Sequence, residues 1–381
     1  MKPVIIHISS DYPDPMQSRK TKAILSLVEG TPEFRHVVYS LNRYTAFGGM
    51  AALPFGADRI ALAYGALPKG LFWEGRLHAV ADWIIADLKS KGIVPHLVEG
   101  HKFTVEGLVA QQVAQAFSCP FICDIQGNSD VRILKNKPSL RGRYRQMAKE
   151  VALVFPFAPW AVAPFEDLIG LDRNKVSVLP VVPEIEGVSA AVPVENNRLL
   201  SVFNLDLWEL KNLKGLVRAL ALIAPDFPDV SLDICGAGAA ESVAKVSKIL
   251  ARFDPTGRVN LLGPIPNQTL PLLIKNYAAF AMPTLRETYG LVFAEALFSG
   301  VPVLYSKGRS IDGYFNPQDI GYACDPDSVA DIAAGLRHLL THEADLKQGI
   351  ARLQRDGGLQ KLQKPYILST YRQGIERVLV K

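Results

Sequence analysis

Two glutamates eight positions apart, Glu287 and Glu295, bracket a glycine in the segment PTLRETYGLVFAEALFSGVPVL (283–304). The pattern reads as a strand ending at Pro283, a loop carrying Arg286 and Glu287, and a helix from about Leu291. The first N–H groups of a helix lack internal partners, and the dipole there favours an anion. Gly290 lets a ligand approach the backbone closely, so this turn is suited to a diphosphate. Carboxylates accept hydrogen bonds from paired sugar hydroxyls, so one glutamate can hold a hexose and the other a ribose. The same spacing also fits a plainer part, with Glu295 complementing the helix dipole and Glu287 a solvated surface residue.

This segment resembles the Glu-x7-Glu signature of family-4-type retaining glycosyltransferases, the group 1 glycosyl transferases of GT-B fold. The small-residue turn and strand that follow, Gly300-Val301-Pro302-Val303, match as well. The resemblance implies that Glu295 binds the ribose hydroxyls and Glu287 contacts the transferred sugar. It implies further that backbone amides around Gly290, Leu291 and Val292 hold the diphosphate. Upstream, LLSVFNLDLWELKNLKGLVRAL (199–220) resembles the family's first donor-domain strand and helix. There the resemblance places a diphosphate-neutralising lysine at Lys211, with Lys214 one turn further on as the alternative. The chain has Asn204 where the family commonly has an arginine, which leaves Arg286 or another basic residue as the candidate second cation. DICGAG (233–238) lacks the third glycine of a dinucleotide fingerprint, which disfavours a nicotinamide oxidoreductase. By resemblance Gly236 and Gly238 are donor contacts, and the turn in LLGPIP (261–266) lies where the base stacks. Asp325 and Asp327 form an Asp-x-Asp pair, but they precede SVADIAAGLRHLL and read as helix caps. No catalytic metal or other cofactor is expected.

The N-terminal half fits the same family more loosely. The stretch from Val98 to Asp130 parallels a strand, helix and strand that end in a His-Gly turn near the sugar, and this chain has Gln126-Gly127 there. His101 closes the preceding strand and is a candidate on the acceptor side, as are Gln126, Gly127 and Asp11. The family's usual Gly-Gly pair after the first strand is replaced by SSDYPDPMQSRKTKAI (9–24). In it Arg19, Lys20 and Lys22 are candidates for an acceptor phosphate, or simply belong to a polar loop. Between Val131 and Lys149 seven bases occur with no acid, and LPKGLFWEGRL (67–77) sets Phe72 and Trp73 beside Lys69 and Arg76. Basic charge with amphipathic aromatics suits an anionic membrane surface, and it suits a solvated basic face as well.

These residues need a scaffold, and the chain supplies one by alternating short β-branched runs with longer helical patterns, the signature of parallel α/β architecture. Strands are expected at 3–9, 36–41, 59–64, 95–100, 120–126 and 152–155, with helices near 20–29, 75–92 and 104–117, the last opened by Thr104. A Pro/Gly/Ser/Asn-rich stretch after about residue 183 reads as a linker. A second series follows: strands at 199–205, 230–236, 259–263, 280–283 and 301–306, with helices near 211–225, 241–253, 268–276 and 291–299. Two Rossmann-like doubly wound domains facing a cleft are therefore expected, an acceptor domain over 1–185 and a nucleotide-sugar domain over 186–365. The last stretch, 366–381, is a helix with the pattern to return to the first domain.

A length of 381 residues suits two domains, and a formal charge of +5 is too small at this length to imply nucleic acid. Four cysteines are too few for a disulfide framework, and Cys119 and Cys123 lack a second pair for zinc. Only Val4, Ile5 and Ile6 precede His7, too short for a secretory core, so the reading is cytoplasmic, with peripheral membrane contact allowed. The expected function is transfer of a sugar from a nucleotide-diphosphate sugar, UDP-linked by family frequency with GDP-mannose as the alternative, to a saccharide or lipid-linked acceptor. The rival readings are a non-catalytic partner subunit that keeps the fold and a sugar-nucleotide epimerase.

Overall fold

The computed structural model describes residues 2–18, 20–45, 49–66, 73–184, 187–194 and 196–380. Arg19, Lys69 and Phe72, named above as acceptor- or membrane-side candidates, lie outside the described residues. The chain divides into two compact units: residues 1–157, 161–182 and 364–381, and residues 158–160 and 183–363.

The first unit is built on seven strands: β1 (Val4–Ser9), β2 (Arg35–Tyr44), β3 (Ala51–Pro54), β4 (Arg59–Gly65), β5 (Leu97–Gly100), β6 (Phe121–Ile125) and β7 (Leu153–Pro156). Their order is β3-β4-β2-β1-β5-β6-β7, parallel except that β3 runs antiparallel to β4. Strands such as VIIHIS and FICDI are buried along their whole length, as expected of a parallel sheet covered on both faces. Ile5, Val38, Leu97, Ile122 and Phe155 form a core with Ile367, Tyr371 and Ile375 of the C-terminal helix Lys364–Leu379.

The second unit has six parallel strands: β8 (Arg198–Val202), β9 (Ser231–Cys235), β10 (Val259–Gly263), β11 (Ala279–Ala281), β12 (Val303–Ser306) and β13 (Gly321–Cys324). Their order is β10-β9-β8-β11-β12-β13. In both sheets the chain starts in the middle, winds outward one way, then returns to wind the other. The order therefore reverses between β1 and β5 in one unit and between β8 and β11 in the other. Crevices at the carboxyl ends of such reversals are where doubly wound sheets bind ligands.

Several elements differ from the sequence reading. The edge strand β3 was not expected, because AALP is exposed at all four positions and shows no alternation. The basic stretch after Gly127 folds as two helices, Asn128–Asn136 and Arg141–Glu150, which bury Leu134, Tyr144 and Met147 and leave Arg132, Lys135, Arg145 and Lys149 exposed. Thr104 does not cap the helix Glu106–Phe117. Its hydroxyl and its amide both bond to Asp130 Oδ1, at 2.6 and 3.0 Å. The helix Val329–Thr341 is capped by Ser328, whose hydroxyl accepts from the Asp331 amide, and Asp325 instead accepts from the Asp327 amide in the turn before it. Asp325 and Asp327 are thus turn residues rather than caps. Cys123, Cys235 and Cys324 are buried free thiols, and Cys119 is a half-buried one.

Candidate functional site

The second unit assembles its candidate residues at the reversal point between β8 and β11. After β8 the chain makes a short 3-10 turn (Leu205–Leu207) and reaches Lys211 just ahead of the helix Leu213–Ile223. After β11 it forms the loop 282–290, which leads into the helix Leu291–Phe298. Because β8 and β11 are neighbours, these two connections lie side by side. They are tied by backbone and hydroxyl bonds: the Leu285 amide donates to Leu210 O at 2.8 Å, and Thr284 Oγ1 donates to the same carbonyl at 2.9 Å. Ser306 Oγ anchors the loop from β12 by donating to Thr284 O at 2.8 Å.

This scaffold pairs Lys211 Nζ directly with Glu287 Oε2, with side-chain exposures of 13% and 18%. The other Glu287 oxygen accepts from the Thr288 amide at 3.2 Å. Gly290 caps the helix with φ 74°, and a Cβ there would lie 2.8 Å from Phe293 Cδ2 and 3.1 Å from Glu287 Cγ. Any side chain at 290 would strain the backbone and crowd Glu287, which is why glycine occupies it. No side chain caps this helix, so the amides of its first turn, Leu291 and Val292 among them, start the element at its positive end. Glu295 sits one turn into the helix. Burial, reinforced by the like charge of Glu184, pushes its carboxyl up to about 7.

The remaining donor-side candidates divide. Lys214 is separate from the pair, with its Nζ 5.3 Å from the Phe253 ring centroid. Arg286 is exposed, and its amide donates to Thr284 Oγ1 at 3.3 Å. Asn204 is exposed and caps the turn after β8, its Oδ1 accepting from the Asp206 amide at 2.8 Å. Gly236 and Gly238 have a packing reason: an added Cβ would meet Phe203 O at 1.8 Å or Leu205 Cβ at 2.7 Å.

In the first unit the reversal point joins the ends of β1 and β5. Lys102 Nζ donates to Asp11 Oδ2 and to Ser10 Oγ, each at 2.8 Å. Gln126 Nε2 reaches the same Asp11 oxygen at 2.7 Å and His101 O at 2.8 Å. Burial opposes ionisation of Asp11, but Lys102 and Gln126 outweigh it and hold the carboxyl below its ordinary range. Gly127 starts the helix Asn128–Asn136 with φ 92°. Asp11, Gln126 and Gly127 are therefore brought together, and Lys102, which the sequence reading did not single out, is their cation.

His101 is corrected by its surroundings. It is fully buried, with Nδ1 2.6 Å from Asp124 Oδ2 and Nε2 3.0 Å from His7 Nδ1. His7 contacts Glu99 Oε2 at 3.2 Å and His36 Nδ1 at 2.8 Å, and the hydroxyl of Tyr371 donates to Glu99 Oε2. Burial works against the charge on His101, but Glu99 and Asp124 outweigh it and raise its pKa to about 9. Burial instead drives His7 down to about 4. His101 thus belongs to a sealed ion-pair network and not to an acceptor-facing surface. His7, Glu99 and His101 are also the group among the described residues whose ligand atoms lie within 4.8 Å of one another, though each already serves the others. A signal for this network was present: VIIHIS, LVEG and FICDI each set one His, Glu or Asp in an otherwise uncharged, largely apolar run, and the register pairs His7 directly with Glu99.

Lys20 is corrected as well. Its Nζ pairs with Asp14 at 2.8 Å and with Ser40 Oγ at 3.0 Å, so it stabilises the turn after β1 rather than awaiting a phosphate. Trp73 is half-buried, and Lys137 Nζ lies 5.3 Å from its ring centroid. No helix among the described residues is long and apolar enough to cross a membrane.

Residues 188–354 match the family model described as glycosyl transferases group 1. A D-inositol 3-phosphate glycosyltransferase of Corynebacterium kroppenstedtii is 30% identical over 140 residues. That match covers 35% of this chain and 31% of the relative, so the chain spans about a third of the length of that curated protein. Among solved structures, a sucrose-phosphate synthase from Thermosynechococcus elongatus superposes with a TM-score of 0.72 at 17% identity, covering 99% of each chain. The Anabaena protein Alr3699/HepE, solved in complex with UDP, gives 0.70 at 14% identity, covering 98% of this chain and 100% of that one. Likeness at that level of identity establishes the fold, which is α/β and of the GT-B class.

Proposed function

We propose that this chain, whose residues 188–354 match the glycosyl transferases group 1 family model, moves a sugar from a nucleotide-diphosphate donor to a saccharide or lipid-linked acceptor with retention of anomeric configuration. The observation that carries the reading is the Lys211–Glu287 ion pair beside the Gly290-capped helix N-terminus, at the reversal point of the second sheet. An incoming diphosphate competes with Glu287 for the Lys211 ammonium and takes the amides at Leu291 and Val292 as further donors. Glu287, released from the lysine, then accepts a hydroxyl of the transferred sugar. Glu295 accepts the ribose hydroxyls.

In the transfer step the bond between the anomeric carbon and the diphosphate oxygen breaks, and a bond to the acceptor oxygen forms on the same face. The acceptor proton passes to the departing diphosphate, whose developing charge Lys211 and the helix N-terminus stabilise. These groups perform the charge neutralisation for which other transferases use a metal, so the reaction is proposed to be metal-independent. UDP is the favoured base, supported by the structural neighbour solved with UDP, and GDP-mannose is the alternative donor.

The test is nucleotide release from UDP-glucose, UDP-galactose and GDP-mannose, with the product's anomeric configuration read by NMR. The reading predicts release from one donor base, unaffected by chelator, with the donor's configuration kept in the product. Release from none of the three, or an inverted product, contradicts it. The exposed bases of the helices Asn128–Asn136 and Arg141–Glu150 support a peripheral contact with anionic lipid. Co-sedimentation with phosphatidylglycerol vesicles that exceeds that with phosphatidylcholine vesicles is expected. Equal partition would remove that part of the proposal.

A further inference from the structure

The buried histidine cluster of the first unit brings three lone pairs to one point. His36 Nε2 lies 2.8 Å from Thr31 O, so that nitrogen carries the proton and Nδ1 is left to accept from His7 Nε2 at 2.8 Å. His7 Nδ1 is then a bare lone pair. On the other side His101 Nδ1 donates to Asp124 Oδ2 at 2.6 Å, which leaves His101 Nε2 toward His7. His7 Nδ1 is 3.0 Å from His101 Nε2 and 3.2 Å from Glu99 Oε2, and the latter two are 3.9 Å apart. A single proton joins two of these atoms and not the third. Glu99 Oε1 is buried too and has no hydrogen-bond partner among the described residues. Buried polar groups are normally satisfied, so the orphan oxygen points to a cation beside it.

We propose that His7, Glu99 and His101 bind a structural zinc ion. The centre of their triangle lies about 2.0 Å from each of the three atoms, which is the length of Zn–N and Zn–O bonds. The fourth position falls to Glu99 Oε1 or to the Tyr371 hydroxyl, which already contacts the same carboxylate. Both imidazoles are held from behind as metal-bound histidines require, His101 by Asp124 and His7 by His36, itself fixed by Thr31. Two imidazole nitrogens disfavour magnesium and calcium, which take oxygen ligands. Charge agrees: one imidazolium balances one of the buried carboxylates Glu99 and Asp124, whereas a dication with neutral imidazoles balances both. Because His7 lies on β1, Glu99 on β5 and Tyr371 on the C-terminal helix, the ion fastens that helix to the middle of the sheet. It supplies nothing to the transfer step, so the inference stands apart from the transferase reading.

The test is metal analysis of the full untagged chain by inductively coupled plasma mass spectrometry. The protein is expressed in zinc-supplemented medium and purified without metal-affinity resin, alongside Glu99→Gln and His101→Gln, each checked for fold by circular dichroism. About one zinc per chain is expected in wild type, with at least about a ten-fold lower content in each folded variant. Zinc K-edge absorption on wild type keeps the test decisive if both variants fail to fold. It is expected to show nitrogen and oxygen neighbours at about 2.0–2.2 Å, with imidazole scattering and no sulfur near about 2.3 Å. Wild type that holds no zinc, folded variants that keep wild-type zinc content, or a sulfur shell around the ion overturns the site. Stoichiometric binding of another metal in place of zinc overturns the assignment of the ion.

Discussion

Both units place charged side chains where their sheet order reverses, yet the two clusters are built on opposite principles. In the first unit His7, Glu99, His101 and Asp124 are fully buried and contact one another, and the Tyr371 hydroxyl of the C-terminal helix donates to Glu99. In the second unit Lys211 and Glu287 pair at partial exposure beside a helix N-terminus with no side-chain cap, and burial disfavours the Glu295 carboxylate. The first arrangement fixes structure, because every buried charge has an opposite charge in contact. The second is poised for exchange, because an anion can replace Glu287 on Lys211. Perturbed titration alone does not mark a substrate site: His101 and Glu295 are both shifted, and accessibility with partner supply separates them.

The largest expected effect breaks the sealed cluster. Glu99→Ala removes the carboxylate that His7 and the Tyr371 hydroxyl contact, leaves Asp124 as the His101 counter-ion, and is expected to destabilise the protein by about 3–5 kcal/mol. Urea unfolding measures this, and a loss below 1 kcal/mol would show that the network is not structural. Next, Glu287→Gln is expected to lower turnover about 10²-fold, near 2.7 kcal/mol in activation free energy, with little change in unfolding midpoint. If stability falls instead and turnover holds, the two clusters are alike after all.

Glu295 supplies a pH signature with a definite sign. Its folded-state pKa of about 7 lies above the ordinary value of 4.5, so the folded state binds the extra proton between those values. Stability is therefore lost as pH rises from about 4.5 to 7 and stays lost above. Glu295→Gln is expected to be more stable than wild type at pH 8, by about 1–2 kcal/mol, and indistinguishable from it near pH 4. A difference independent of pH would contradict this. The smallest effect concerns the half-exposed pair of Arg372, on the C-terminal helix, with Glu33. Arg372→Gln is expected to cost about 0–1 kcal/mol, against the several attributed to Glu99 in the same unit. A larger cost would place helix anchoring at the surface rather than at Tyr371.

Much of the scaffold was legible from pattern alone. Continuous apolar runs such as VIIHIS and FICDI marked buried parallel strands, and the loop and helix between Pro283 and Phe298 fold as read, although the strand before them ends at Ala281 rather than Pro283. The strand AALP was not legible, since a short exposed edge has no buried face to impose alternation. Lys211 was placed through family resemblance, and the structure separates it from Lys214 by pairing it with Glu287. His101 was misread because its partners Asp124 and His7 lie 23 and 94 positions away, and parallel register rather than local spacing brings them together. Asn204 shows another limit. Its type allowed a ligand contact, whereas the turn it caps depends on a backbone geometry that composition does not reveal.

The most direct test of the donor site is thermal unfolding of wild type and Glu295→Ala with UDP, GDP and ADP, each with and without EDTA. A nucleotide at about 100 times its Kd stabilises by about 2.7 kcal/mol. The account predicts a rise in Tm of several degrees with one nucleotide, UDP by preference, unchanged by EDTA and lost in Glu295→Ala. No shift with any nucleotide, or one that survives undiminished in the variant, would contradict it.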